Sequence, residues 1–378
     1  MANNSNLGGA KAAKNDEFYT QLPDINSEMQ AYVDYNPDVF RDKTILLPCD
    51  DPQWSNFTRF FALNFQLFGI RKLISTSYAP DAKKAKYGIM PSLFGDEEQD
   101  PKFDQTKWET HGKIFVLDRD VNGDNRIDID DLQWDYLEGD GDFRSKEVTK
   151  LRDEADMIIT NPPFSLFREF LAWIMDGGKQ FSIIGNMNAI TYKEVFPLIK
   201  ENKIWIGATN FNVGMYFRVP ETFKYASTYK FDRERNGVKV NRVPGVCWYT
   251  NIEHGKRHEP LPLMTMADNL KFSKHKELRG KKEYLHYDNY DAIEVPYTDA
   301  IPSDYKGVMG VPISFLDKYC PEQFELLGIT DRGNEYGLKT KEYTEADDEH
   351  YGDLNRRGSV IVDGKLKSTY ARILIRSV

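Results

Sequence analysis

The chain of 378 residues has few cysteines and no long apolar run. Its three cysteines, Cys49, Cys247 and Cys320, are odd in number and widely spaced, which argues against a disulfide framework or a cysteine-based zinc site. No apolar stretch approaches the roughly 20 residues that a membrane helix needs. The polar N-terminus also lacks the apolar core of a signal peptide. We therefore expect a cytoplasmic protein that does not enter a membrane.

Negative charge is concentrated in one segment of the chain. The net charge is −9, but residues 118–142 alone hold ten acidic and two basic residues, so the rest of the chain is close to neutral. Residues 271–283 hold six basic and two acidic residues. A basic surface that faces DNA is therefore compatible with the overall acidity.

The length and the 23 Phe and 21 Tyr residues exclude wholesale disorder. Short apolar runs alternate with helical patterns in the first half, which predicts a mostly parallel α/β sheet with ligands at the carboxyl ends of its strands. Strands are predicted at 44–47, 71–76, 113–117, 157–160 and 181–185. Helices are predicted at 55–68, with Ser55 as the N-cap, at 165–177 and at 192–200.

Three domain-level regions follow from these patterns. Residues 1–15 are predicted to be a flexible arm, and residues 16–255 the α/β domain with an acidic insertion at 118–138. After about residue 205 the chain turns to short β-like runs, with a hairpin predicted at Asn236-Gly237. Residues 256–378 form the remaining C-terminal region.

The sharpest chemical signal is Asn161-Pro162-Pro163-Phe164, directly after a predicted strand. Asn-Pro is also an ordinary turn signal. An amino group on an aromatic ring is a poor nucleophile, because its lone pair is delocalised into the ring. The Asn161 side-chain oxygen and the Pro162 carbonyl oxygen can accept hydrogen bonds from both of its N–H groups. Phe164 can then stack on the base.

Two further segments point to a nucleotide-like cofactor. In GDGDFRS, Asp142 can accept from an adenine amino group and Phe143 can cover the adenine face, although a loop aspartate beside a core phenylalanine is the simpler interpretation. The DEFYT segment places Phe18, Tyr19 and Thr20 after the arm, where an ordinary helix or strand start is the alternative.

In this order, DEFYT, CDDPQWSNF, GDGDFRS and NPPFSLFREF resemble the EcoRI-type adenine-specific DNA methyltransferases. The similarity includes FSIIGNMNAITYKE and the C-terminal YARILI. It implies a Rossmann-like fold that binds S-adenosylmethionine (SAM), a C-terminal target-recognition region, double-stranded DNA as substrate and a restriction–modification role.

The resemblance also implies residue roles. It assigns Asn161, Pro162, Pro163 and Phe164 to a flipped-out adenine, with at most a minor contact of Asn161 to the cofactor. It assigns Asp142 and Phe143 to the adenine of SAM, and Phe18, Tyr19 and Thr20 to its methionine end. Asp50 and Asp51 are candidates for the SAM ribose, since the second predicted strand ends without the usual acidic residue. Ser55, Asn56 and Phe57 stand where the general methyltransferase loop has small glycines.

The acidic insertion fits the spacing of a single calcium loop. Asn125 stands at the usual turn glycine and an aspartate replaces the final glutamate, as in dockerin-type loops; a solvated acidic loop is the alternative. The segment LQWDYLE that follows is predicted to be a short helix. The predicted ligands are Asp120, Asn122, Asp124, the Arg126 carbonyl, Asp128 and Asp131.

A basic run is the candidate for phosphate contacts, with an exposed charged helix face as the alternative. Its cations are Lys271, Lys274, Lys276, Arg279, Lys281 and Lys282.

Two other functions compete with adenine methylation. A protein glutamine methyltransferase would also act on a planar nitrogen whose lone pair is delocalised, in this case that of a side-chain amide. That function, however, predicts Tyr in place of Phe164. A calcium-regulated, non-enzymatic DNA-binding protein would predict no affinity for SAM.

Overall fold

The computed structural model describes residues 19–49, 55–79, 100–219, 234–235, 237–331 and 336–378. These residues divide into two compact units. The first comprises the described residues up to Met187 together with Ile206–His254, and the second comprises Asn188–Trp205 with Gly255–Val378. The segment 188–205 therefore groups with the C-terminal residues, which its sequence did not indicate. Within the described ranges, no helix has the length and apolarity to span a bilayer.

Twelve strands lie in the chain before residue 255. They are β1 (Tyr19–Thr20), β2 (Thr44–Pro48), β3 (Lys72–Ser77), β4 (Lys113–Leu117), β5 (Gln133–Tyr136), β6 (Met157–Thr160), β7 (Gln180–Asn186), β8 (Trp205–Ile206), β9 (Met215–Arg218), β10 (Glu234–Arg235), β11 (Val238–Val243) and β12 (Val246–Thr250).

The main sheet has the order β5-β4-β3-β2-β6-β7-β12-β8. The four strands β3, β2, β6 and β7 are parallel, while β4, β5 and β12 pair antiparallel with their neighbours. Strands β2 and β6 are buried along their whole length, as expected for parallel strands that are covered on both faces. The predicted α/β, Rossmann-like class is confirmed, with parallel pairing confined to the centre of the sheet.

The helices of this part of the chain begin and end near local sequence signals. They are α1 (Leu22–Tyr35), α2 (Asn56–Leu63), α3 (Phe65–Phe68), α4 (Gln105–Thr110), α5 (Lys146–Glu154), α6 (Phe167–Asp176) and α7 (Phe196–Lys200). Ser55 caps α2 as predicted, and its Oγ accepts from the Phe57 N–H at 3.1 Å. Gly69, at φ +63°, ends α3. Helix α1 was not predicted, because its apolar positions are sparse.

A second, smaller sheet has the order β1-β9-β11-β10. Strands β10 and β11 pair antiparallel with Glu234 opposite Lys239, which confirms the hairpin predicted at this position. Gly237 has φ +75°, a backbone conformation that the two-residue hairpin turn requires.

The predicted helix over LQWDYLE is wrong. Residues Gln133–Tyr136 form β5, which pairs antiparallel with β4. Alternate side chains of β5 are exposed, and the half-buried Trp134 stacks on Phe115 with ring centroids 6.3 Å apart. The alternation of apolar and polar residues favours an edge strand once β4 is available as a partner.

The second unit is built on a four-stranded sheet and a separate hairpin. The sheet has the order β13-β14-β18-β15, and its core includes the buried Phe315, Phe324 and Ile375. The helices and strands of this unit after residue 255 are α8 (Met266–Phe272), β13 (Ile293–Glu294), β14 (Met309–Pro312), β15 (Phe324–Ile329), α9 (Tyr351–Arg356), β16 (Ser359–Val362), β17 (Lys365–Ser368) and β18 (Arg372–Ser377).

Candidate active site

The segment 161–164 directly follows β6, which lies between β2 and β7. It is therefore at the carboxyl end of a central parallel strand, where open α/β sheets bind their ligands. The chain then forms a 3-10 turn, Phe164–Leu166, in which the Leu166 N–H donates to the Pro163 carbonyl oxygen at 2.9 Å. Because the two prolines fix φ and have no N–H, they hold the half-buried Asn161 at a rigid bend.

The ring of Phe164 is half-buried and lies edge to face against Phe217 of β9. The two ring centroids are 6.4 Å apart and the ring planes are inclined at 80°. Phe217 has no exposed surface, so its contribution is to fix the tilt of Phe164. No motif in the sequence singles out Phe217.

Two polar side chains flank Phe217 in the small sheet. Phe217 pairs with Thr20 of β1 on one side and with Asn241 of β11 on the other. Directly paired residues of antiparallel strands face the same side of a sheet. Thr20 and Asn241 are only 2% and 8% exposed, and within the described ranges Thr20 Oγ1 and Asn241 Oδ1 have no hydrogen-bond partner. Buried polar atoms are costly to leave unpaired, so both are candidates for ligand contacts.

Thr20 also contacts the start of the helix that follows β2. The Asn56 side-chain amide donates to the Thr20 carbonyl oxygen at 2.7 Å. The DEFYT segment and the loop after the first strand of the main sheet are thus neighbours. The predictions for Phe18, the Tyr19 side chain, Asp50 and Asp51 lie outside the described part of the structure.

The GDGDF segment lies against the end of β3. The Ala79 N–H donates to the Asp140 carbonyl oxygen at 2.7 Å. Gly141 has φ +81°, and a Cβ at this position would overlap the Ser77 carbonyl oxygen. Glycine is therefore required by both the backbone conformation and the close approach. This contact brings Asp142 to the carboxyl end of a parallel strand.

Asp142 and Phe143 differ in their exposure to a ligand. Arg144 Nη2 contacts Asp142 Oδ2 at 2.6 Å. Hydrogen bonding to Arg144 lowers the pKa of Asp142 below its ordinary value against an opposing effect of burial, so the carboxylate is an ionised acceptor at neutral pH. Phe143 is only 5% exposed and packs edge-on against Phe170, 4.9 Å away, and Trp173. This burial fits the simpler interpretation of Phe143 as a core residue, and its contact with adenine stays a prediction.

Carboxylates of the acidic loop accept hydrogen bonds from backbone N–H groups of the same loop. Asp120 accepts from the N–H groups of Gly123 and Asn125 at 2.6 and 2.8 Å, and the buried Asp131 accepts from three N–H groups of the loop. Asn125 takes the left-handed conformation that its position requires. Among the described residues, no three carboxylate, histidine or cysteine side chains are grouped as a metal site. The calcium prediction is therefore not supported.

The basic run 271–282 is not a continuous helix face. Helix α8 ends at Phe272, and the remaining residues form turns anchored by the buried Leu278. Lys274 forms an ion pair with Asp299 at 2.7 Å. The other five cations are exposed and form no ion pair with a described residue: Lys271, Lys276, Arg279, Lys281 and Lys282.

Comparison of the whole chain with known proteins decides the class of enzyme. The family model described as adenine-specific methyltransferase EcoRI matches residues 6–378. The chain belongs to this family. It is 41% identical to the type II methyltransferase M.EcoRI of Escherichia coli over 327 residues, which cover 86% of this chain and 89% of that protein. No solved structure matched the chain.

Two further relatives extend the similarity over almost the whole methyltransferase. The chain is 33% identical over 372 residues to the type II methyltransferase M.MpnI of Mycoplasma pneumoniae, and the match covers 97% of this chain and 96% of that protein. It is 32% identical over 372 residues to M.MgeORF184P of Mycoplasma genitalium, covering 97% of each chain. The predicted class, an adenine-specific DNA methyltransferase, is confirmed. Neither the glutamine methyltransferase nor the non-enzymatic alternative receives support.

Membership in this family implies SAM as the methyl donor. Three features of the structure fit such a ligand at the carboxyl end of the sheet. Thr20 Oγ1 is a buried acceptor without a partner among the described residues. Asp142 is an ionised acceptor beside the end of β3, and Gly141 permits the close backbone approach that places it there.

Proposed function

We propose that this enzyme methylates N6 of an adenine that is extruded from a specific site in duplex DNA, in a restriction–modification or related DNA-modification role. The observation that carries the proposal is the rigid Asn161-Pro162-Pro163-Phe164 bend at the carboxyl end of β6. It presents an amide oxygen, a carbonyl oxygen and an aromatic ring close together. These are the groups that an exocyclic amine on a planar base requires.

The cofactor would lie along the ends of β2 and β3. SAM supplies a methyl group activated by a positively charged sulfur. Asp142 would accept a hydrogen bond from its adenine amino group, and Thr20 would contact its methionine end together with Phe18 and Tyr19. Asp50 or Asp51 would hold the ribose hydroxyls.

The target adenine would be held by the bend itself. Asn161 Oδ1 and the Pro162 carbonyl oxygen would each accept one N6–H, which favours the tetrahedral form of the nitrogen and frees its lone pair. Phe164 would stack on the base, and the buried Phe217 would keep that ring at a fixed tilt. Extrusion costs a few kcal/mol of unstacking. The nitrogen loses its proton after the methyl group arrives, so positioning and hydrogen bonding supply most of the catalysis.

Contacts with the DNA backbone would come from the exposed cations of the basic run. Lys and Arg near phosphates add affinity without sequence information. Lys274 is the weakest candidate in this run, because it is already paired with Asp299.

The test combines a methylation assay with direct measurement of SAM binding. Purified enzyme, duplex DNA and labelled SAM should give N6-methyladenine at one sequence, which sequencing of modified bases identifies. Asn161→Ala should abolish transfer and leave the Kd for SAM nearly unchanged. Phe164→Ala should impair transfer strongly, whereas the matched Phe164→Trp keeps a stacking ring and should retain more activity. Near-normal turnover by Asn161→Ala would contradict the proposal.

A further inference from the structure

We propose that the β16–β17 hairpin and the adjoining Tyr370 form a ribbon that enters the major groove of the DNA duplex. This inference rests on the proposed function, since it assigns part of the DNA contact. The hairpin forms its own two-stranded sheet, separate from the four-stranded sheet of the second unit. Its strands are joined by Asp363 and Gly364, with φ +53° and +74°, the conformation of a tight type I′ turn.

The root of the hairpin is fixed by hydrogen bonds and by core packing. The Asp288 N–H donates to the Ser359 carbonyl oxygen at 2.8 Å, and the Ser359 N–H donates to Asn289 Oδ1 at 2.8 Å. Val360 is 5% exposed and packs in a cluster with Tyr287. The tip therefore projects from a rigid base.

The arginines that flank the hairpin are used inside the protein. Arg356 contacts Asp331 at 3.3 Å, and Arg372 forms a buried ion pair with Glu294 at 2.6 Å. Arg357 lies 4.0 Å from the same Asp331. These pairs hold the entry to the hairpin and the strand that follows it.

Unlike these arginines, the two lysines of the hairpin have no acidic partner among the described residues. The side chains of Lys365 and Lys367 are exposed and form no ion pair or hydrogen bond with any described residue. Between residues 356 and 372 the only acidic side chain is Asp363, at the turn. The hairpin thus carries two unpaired cations on a preorganised support, which suits contact with phosphates.

Exposed apolar surface accompanies these cations. Ile361 is 51% exposed and pairs across the hairpin with Leu366, on the face opposite the buried Val360. Tyr370, two residues after β17, is 79% exposed. The major groove admits a two-stranded ribbon, and apolar side chains there contact thymine methyl groups. Lys365 and Lys367 pair with Val362 and Val360, so these two cations lie on the face of the hairpin opposite Ile361. Their long side chains would extend past the strand edges to the phosphates beside the groove.

The first experiment measures the salt dependence of duplex binding by the full chain. The double variant Lys365→Gln/Lys367→Gln is compared with the parent and with the matched control Lys306→Gln/Lys318→Gln, which removes two exposed charges elsewhere in the same unit. Each lost phosphate contact should reduce the slope of log affinity against log salt by about 0.9, or about 1.8 for the pair. The control should keep the parent slope. Equal slopes in the hairpin variant and the parent would overturn the phosphate contacts.

The second experiment tests the groove assignment with Ile361→Ser and Tyr370→Ala. Both side chains are exposed, so the melting temperature and the Kd for SAM should not change. We expect Tyr370→Ala to weaken duplex binding about tenfold, because it removes apolar area that the ring would bury in the groove. We expect Ile361→Ser to reduce discrimination against altered target sequences. Parent-like affinity and specificity in both variants would overturn the groove assignment. A parent that binds duplex DNA without methylating it would contradict the proposed function alone, because the salt slopes would still report on the hairpin.

Discussion

Glu28 in α1 is the most deeply buried carboxylate among the described residues of the first unit, and its removal gives a quantitative test of the fold. Its Oε1 accepts from the Tyr32 hydroxyl at 2.7 Å and from the Ala208 N–H at 2.9 Å, and Oε2 accepts from the Thr209 N–H at 2.8 Å and from the Thr209 hydroxyl at 2.5 Å. The carboxylate thus ties helix α1 to the loop that leads to β9 and Phe217.

Glu28→Ala should destabilise the protein by about 2–4 kcal/mol. The Tyr32 hydroxyl keeps its contact with Ser182, and the Thr209 hydroxyl can rotate, but the N–H groups of Ala208 and Thr209 lose their acceptors. Each unpaired buried donor costs about 1–3 kcal/mol. We expect a loss below the sum of the two upper values for two reasons. Ala208 and Thr209 are only half-buried, and the substitution also removes a desolvated carboxylate.

Denaturant unfolding followed by circular dichroism measures this loss. The matched variant Glu28→Gln keeps the shape of the side chain and one oxygen acceptor, so only one backbone N–H loses its partner. It should lose about half as much stability as Glu28→Ala. A free energy of unfolding for Glu28→Ala within about 0.5 kcal/mol of the parent, the range of an ordinary surface substitution, would refute the assigned network.

The same pair of proteins has a predicted pH dependence. Burial raises the pKa of Glu28 above its ordinary value of 4.5, and its hydrogen bonds oppose the rise. With a raised pKa in the folded state, the contribution of Glu28 to stability is fully present below about 4.5 and declines as the pH rises through the folded pKa. The stability of the parent relative to Glu28→Gln should therefore increase as the pH falls from 7 towards 4.5. Other carboxylates contribute to both proteins and cancel in the difference.

Asp142→Ala should weaken SAM binding by about 1–3 kcal/mol, because an amino group of the ligand loses its acceptor; an unchanged calorimetric Kd would place the adenine of SAM elsewhere. Gly141→Ala should lower both stability and SAM affinity more than Gly123→Ala does, since the two glycines have φ +81° and +82° but only Gly141 lies against backbone. Equal effects would show that the close approach is unimportant. Neutralising three exposed cations of the basic run should reduce the slope of log DNA affinity against log salt by about 0.9 for each true phosphate contact. The methylated sequence should not change. These cations are Lys276, Lys281 and Lys282.

The bounds of four strands of the main sheet could be predicted closely from the sequence. Strands β2, β4, β6 and β7 lie within one residue of their predicted bounds, since each is a short apolar run. The direction of the outer strands could not be predicted in the same way. The run KIFVL has the same pattern whether it pairs parallel or antiparallel, and β5 has an apolar side that only the presence of β4 explains. Strand orientation depends on connections that no local pattern records.

The candidate site likewise combines features that a local pattern predicts with residues that are distant in sequence. The bend at Asn161 and the cap at Ser55 are local features, and the sequence indicated them because each depends on a few neighbouring residues. The residues that support the bend are distant in sequence. Phe217 reaches Phe164 only because β9 pairs with β1 and β11, and a phenylalanine in a short β-like run carries no mark of that pairing.

Glu28 shows most clearly why such support escapes a sequence-based interpretation. A glutamate in a polar helix favours an exposed position, since an unpaired buried carboxylate is costly. Its burial here depends on donors from the loop at Ala208 and Thr209, 180 and 181 residues further along the chain. That loop leads into β9, so the segment that precedes Phe217 is held by a buried carboxylate in a different helix. The chemical groups of the site are therefore local in sequence, whereas the packing that orients them is set by long-range pairing.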